Sequence, residues 1–137
     1  MQKALSIKND IKELNRMNLF LEEVGKDFHL ESSFLVKLNL VLEEAVSNII
    51  FYAYKPGEVD RPIDIILSYT DLLAVKLVDK GKPFDPTKRA NPDITLSLEE
   101  RPIGGLGIFL IKQIMDEVTY KRENGQNILI MKKRIKV

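Results

Sequence analysis

The hydrophobic period of this chain changes abruptly at one place. From Phe34 to Ile50 the apolar residues Phe34, Leu35, Leu38, Val41, Leu42, Ala45, Val46, Ile49 and Ile50 recur at three- and four-residue steps. That spacing belongs to one face of a helix. From Ile63 the apolar residues alternate instead, at Ile63, Ile65, Leu67 and Tyr69, and again at Leu73, Val75 and Leu77. Alternation of period two describes strands with one buried face. Between the blocks lies Lys55-Pro56-Gly57, where Pro forbids helix continuation and Gly supports a turn. Asp71 separates the two alternating runs closely enough to predict a hairpin.

The flanking segments fill out the pattern. Leu5–Ile7 is short and alternating, as an edge strand would be, and Asn9 or Asp10 offers an N-cap. Ile11, Leu14, Leu21, Val24 and Phe28 then trace a first helix that ends near 25–30, with Ser32 or Ser33 capping the second. His29, beside Phe28 and Leu30 at that helix end, reads as a cap or a partly buried residue. Residues 80–103 hold four prolines, many charges and little periodicity; an irregular stretch of that length is usually a lid, a binding loop or disorder. A third helix is predicted from Gly105 to Met115, and two closing strands over Val118–Lys121 and Ile128–Ile135 turn at Asn124-Gly125. Strands segregated from helices predict an α+β sandwich with helices on one face of a sheet.

Composition narrows the chemistry. The 137 residues suit one domain, taken as 1–137. With no Cys, disulfide scaffolds, thiol nucleophiles and thiolate metal sites are excluded, and one His cannot build a multi-histidine centre. Lys and Arg number 21 against 20 Asp and Glu, which argues against a dedicated nucleic-acid binder. No apolar run approaches the roughly 18–20 residues of a membrane span, and the polar start is no signal-peptide core, so a cytoplasmic location is expected. The basic end (Lys132, Lys133, Arg134, Lys136) reads as charges protecting an edge strand.

Three places can carry chemistry. Glu44 and Asn48 stand four residues apart on the second helix, on one face beside its apolar stripe. A carboxylate next to a carboxamide suits a hard cation and a proton acceptor, and equally a surface hydrogen-bonded pair. Asp79 ends the second alternating run with the parity of Leu73, Val75 and Leu77. A carboxylate among apolar neighbours needs a donor such as an exocyclic amine, and Gly81 allows close approach to a flat ring; an Asp-x-Gly turn is the plainer reading. Gly104-Gly105-Leu106-Gly107 opens the third helix, exposing backbone N–H groups as a phosphate site would, or serving as a hinge. It is neither a P-loop nor a dinucleotide-binding turn.

The order and spacing of these places resemble the Bergerat ATP-binding fold: a helix carboxylate–amide pair, then Asp-x-Gly-x-x-Phe ending at Phe84, a long lid, and Gly-Gly-x-Gly at a helix start. Glu43–Asn48, Asp79–Pro86 and Gly104–Tyr120, with Asp116-Glu117-Val118, look like the anti-sigma-factor serine kinases of that superfamily. The resemblance implies a two-layer α/β sandwich with a mixed sheet and a lid at about 85–103. It implies ATP and Mg²⁺ as cofactors, with Glu44 as general base and Asn48 as the Mg²⁺ ligand. Asp79 would accept from the adenine amine, with Gly81 beneath the ring and Phe84 in the same motif. The Gly104–Gly107 turn would hold the phosphates. Implied partners are an antagonist (anti-anti-sigma) protein, phosphorylated on serine, and a sigma factor, with homodimerisation and no direct nucleic-acid or membrane contact. A non-catalytic ATP-gated binding module and a stand-alone ATPase are the alternatives. Two positions depart from the family pattern: Tyr52 stands where His is frequent, and Asn127 where Thr is common.

Overall fold

The structure is a computed structural model that describes residues 1–88 and 105–135. Strand β1 (Gln2–Lys8) leads through a 3₁₀ turn (Ile11–Glu13) into α1 (Leu14–Asp27), followed by α2 (Ser32–Asn48) and a π turn (Ile49–Ala53). The hairpin β2 (Pro62–Tyr69) and β3 (Leu72–Asp79) comes next, then a 3₁₀ turn (Pro86–Lys88), α3 (Gly105–Ile114), and the hairpin β4 (Glu117–Glu123) and β5 (Gln126–Arg134). The expected elements are all present. The expected lid, about 85–103, is described only as far as Lys88; residues 89–103, Gly104 and Lys136 lie outside the described residues.

Local chemistry sets the boundaries. The Asp10 carboxylate accepts from the Lys12 N–H at 3.0 Å and caps the first turn. Helix α1 buries Met17, Phe20, Leu21 and Val24, all on one side. It closes where exposed His29 takes a φ of 56° and the Leu30 N–H returns to the Gly25 carbonyl at 2.9 Å, a left-handed C-terminal cap. The N-cap of α2 is Glu31 rather than Ser32 or Ser33, and no side chain bonds back to the helix there. Asn124 and Gly125 have φ of 53° and 75°, the paired positive angles that join β4 to β5 by a two-residue turn.

The sheet order is β1-β2-β3-β5-β4. Every described pairing is antiparallel, so the expected mixed sheet is corrected. Two hairpins supply two of the four pairings, and the longer connections bring β1 beside β2 and β5 beside β3 in the same opposed sense. The basic run is also reassigned. Its strand, β5, lies between β3 and β4, and Lys133 pairs with Asp116 at 3.4 Å; the charged edge is β4. Ile63, Ile65 and Leu67 of β2 and Leu73, Val75 and Leu77 of β3 face the helices and join Leu38, Leu42 and Val46 of α2 in one core.

The register gives the sheet two distinct ends. At one, Gln2 faces Ser68, the Tyr69 N–H donates to the Met1 carbonyl, and Leu72 faces Arg134. At the other, Ile63 faces Asp79 and Asp79 faces Asn127, beside the Asn124-Gly125 turn. The candidate site lies at this second end.

Candidate functional site

Asp79 is the last residue of β3 and only 2% exposed, in the alternating set of Leu73, Val75 and Leu77 that is buried in the core. Its Oδ1 accepts from the Gly81 N–H at 2.8 Å and from Asn127 Nδ2 at 2.9 Å. Burial pushes the Asp79 carboxyl above the usual carboxylate range, opposed by those two hydrogen bonds and by the nearby Arg122 charge. The adjoining Tyr54 phenol is also raised, first by burial and then by the negative Asp79. Both oxygens of a buried carboxylate require donors, and the described bonds occupy Oδ1.

The turn after Asp79 is clamped from three sides. The Lys80 N–H donates to the Tyr54 hydroxyl at 3.2 Å, the Lys82 N–H to the Ala53 carbonyl at 2.9 Å, and Arg122 to the Gly81 carbonyl at 2.7 Å. A Cβ on Gly81 would fall 2.4 Å from the Ala53 carbonyl oxygen. The space that a side chain would need there is therefore filled by the protein's own backbone, which by itself demands glycine. Phe84 is half-buried and stacks on Tyr52 with ring centroids 5.4 Å apart. The Tyr that replaces the family's frequent His thus joins the wall formed by the Asp-x-Gly-x-x-Phe segment.

The second cluster forms where α2 meets α3. Glu44 is half-buried, and a Cβ on Gly107 would lie 2.6 Å from Glu44 Oε2. The carboxylate therefore sits against the third residue of α3, in the first turn, where backbone N–H groups lack helical partners. One turn along α2, Asn48 is 5% exposed and its Nδ2 has no hydrogen-bond partner among the described residues. An orphaned amide in a protein interior is costly, and it fits a place where a ligand completes the shell. Rotating the amide by half a turn presents its oxygen instead, the atom a hard cation takes. Gly105 and Leu106 belong to α3 by backbone. The π turn links the clusters: it begins after Asn48 and ends at Ala53, the residue against which Gly81 packs.

Tyr54, Ala53 and Arg122 carry no motif in the sequence. Asn127 shows there only as the residue standing where the family commonly has Thr, ahead of the apolar run Ile128–Met131.

An antiparallel sheet covered by helices, with a buried Asp at a strand end and a glycine-opened helix against a Glu, is a two-layer α/β sandwich. Residues 7–133 match the family described as "Histidine kinase-like ATPase domain", and the chain belongs to it. Among characterised relatives, it is 32% identical over 95 residues to the serine/threonine-protein kinase BtrW of Bordetella bronchiseptica, spanning 69% of this chain and 66% of that protein. It is 35% identical over 100 residues to the serine-protein kinase RsbW of Listeria monocytogenes, spanning 69% of this chain and 63% of the relative. The chain thus spans just under two thirds of these relatives' length. Among solved structures, the RsbU and RsbW domains of Rv1364c from Mycobacterium tuberculosis superpose with a TM-score of 0.66 at 12% identity, covering 96% of this chain and 32% of that one. That likeness concerns the fold. Among the described residues, no helix is long and apolar enough to cross a membrane.

Proposed function

We propose that this chain is an ATP-dependent serine protein kinase of the partner-switching type, acting in the cytoplasm as one domain. It phosphorylates an antagonist protein on serine and, when that antagonist is modified, holds a sigma factor, thereby regulating transcription. The observation that carries this reading is the Glu44 carboxylate set against Gly107 in the first turn of α3, one helical turn from the buried Asn48 amide, whose Nδ2 has no partner among the described residues.

The roles follow from chemistry. Asp79 accepts the amine of the base, on a turn held by Tyr54, Ala53 and Arg122. Asn48 offers its amide oxygen to Mg²⁺, and the N–H groups opening α3 face phosphate oxygens. Bound Mg·ATP supplies the phosphoryl group and the charge neutralisation that phosphoryl transfer requires. Glu44, lying against the first turn of α3, accepts the proton of the incoming serine hydroxyl. The two named relatives, both protein kinases, support the same reading.

Incubation with γ-labelled ATP and a candidate antagonist should label that protein on serine. Glu44→Ala should abolish labelling yet keep the thermal stabilisation by Mg·ATP, about 2.7 kcal/mol at a hundredfold excess over Kd. Labelling that survives Glu44→Ala would reject the assigned base. Stabilisation with no labelled partner would favour a nucleotide-gated binding module, and partner-independent ADP release a plain ATPase.

A further inference from the structure

Three large apolar side chains that the fold leaves exposed gather round one groove, at the end of the sheet where Asp79 lies. Ile11 of the first 3₁₀ turn is 45% exposed, Phe51 of the π turn 62% and Val59 67%. With half-buried Ile50 they line a cavity of about 580 Å³, and Ile50, Phe51 and Val59 also line an adjoining one of about 260 Å³ beside Lys55. The walls are held in place. Asn9 ties two of them together: its Nδ2 donates to the Glu58 carbonyl at 2.6 Å, and its Oδ1 accepts from the Arg61 N–H at 2.9 Å. The third wall is the π turn that begins directly after Asn48. Single apolar residues are ordinary on a protein surface, but several converging on one preformed concavity mark a contact site.

The charges round the groove indicate what fits it. Its acids are already engaged within the chain: Asp10 and Glu13 accept from the Lys12 and Lys8 N–H groups, Glu58 accepts from the Lys55 N–H, and Asp60 pairs with Lys8 Nζ at 3.4 Å. Among the described residues, no hydrogen bond or ion pair holds the exposed side chains of Lys12 and Lys55, so the charge offered outward is positive. A second copy seated on the same groove would oppose lysines with lysines. We propose that this groove docks the serine-bearing substrate protein, taking from it an apolar side chain ringed by carboxylates; this rests on the kinase reading of the site. A protein whose serine reaches Glu44 covers the surface beside it, and Phe51 carries the chain from Asn48 into that surface. The lysines draw in the acidic partner, and the apolar walls retain it.

The test is steady-state phosphorylation of an antagonist protein by the full chain, with sedimentation of the chain alone. Phe51→Ser should raise KM for the antagonist roughly tenfold or more, the size of a buried anchor, with kcat and the thermal shift by Mg·ATP unchanged. Val59→Ser, outside the π turn, should raise KM in the same way and serves where Phe51→Ser disturbs that turn. Lys12→Glu combined with Lys55→Glu should raise KM and flatten its increase with added salt. An unchanged KM in both apolar variants overturns the proposal, as does an unaltered salt response in the charge-reversed one. So does loss of the Mg·ATP shift in Val59→Ser, which marks a merely structural residue. A wild-type dimer that Phe51→Ser and Val59→Ser both convert to monomer also overturns it, because the groove then belongs to a second copy. A wild type that labels no antagonist instead removes the kinase reading itself, and the docking with it.

Discussion

Two glycines in this chain meet nearly the same crowding with opposite consequences. A Cβ on Gly81 would lie 2.4 Å from a backbone carbonyl, that of Ala53, which cannot move without shifting the π turn. A Cβ on Gly107 would lie 2.6 Å from Glu44 Oε2, the tip of a flexible side chain. Gly81→Ala should therefore destabilise the fold by about 1–3 kcal/mol in urea denaturation, as overpacking does. Gly107→Ala should leave the fold as stable or slightly more so, because Ala favours helix, while displacing the carboxylate and reducing serine labelling at least tenfold. Asp79 separates stability from binding in another way. Its folded-state pKa is raised by burial, so its ionised form destabilises the protein as pH rises through that value; the penalty disappears below the unfolded value near 3.8. Asp79→Asn should raise the ligand-free melting temperature at pH 7, with the gap to wild type closing toward pH 4, and should remove the Mg·ATP shift. A lower melting temperature at pH 7 would show that the bonds from Gly81 and Asn127 outweigh the burial.

Among the elements, the π turn separates what the sequence discloses from what it conceals. The apolar spacing of α2 is regular from Leu38 to Ile49, and continuing it from Ala45 and Val46 would bury residues 52 and 53. The structure buries Ala53 and Tyr54 instead and leaves Tyr52 half-buried, a displacement of one residue accommodated by Ile49–Ala53. Such turns frequently mark functional positions in helices, and this one begins directly after Asn48. Periodicity cannot reveal it, because Ala53 satisfies both phases. Deleting Phe51, 62% exposed, would restore α phase while keeping Ala53 and Tyr54 turned inward. The variant should melt within a few degrees of wild type and lose the Mg·ATP shift, since the chain beyond Asn48 is drawn back by about 1.5 Å. A retained shift would mean that the turn only absorbs an inserted residue.

At the scale of the whole molecule, the layers, the hairpins and the parity of Asp79 were legible because period and turn chemistry are local properties. The Asn124-Gly125 turn and the edge position of β1 were legible for the same reason. The antiparallel sense throughout the sheet, the interior place of β5 and the partnership of Asp79 with Asn127 were not. Asp79 and Asn127 are 48 residues apart, and only the β3–β5 register joins them. Ala53 and Gly81 meet by the same kind of long-range closure. That register also gives the molecule a front and a back. Met1 beside Tyr69 and Arg134 beside Leu72 occupy the end of the sheet opposite Asp79 and Asn127. A fluorescent reporter or a tether to a surface joined beside Met1 or Arg134 would be carried at the rear, at the end of the sheet away from Asp79 and Asn127.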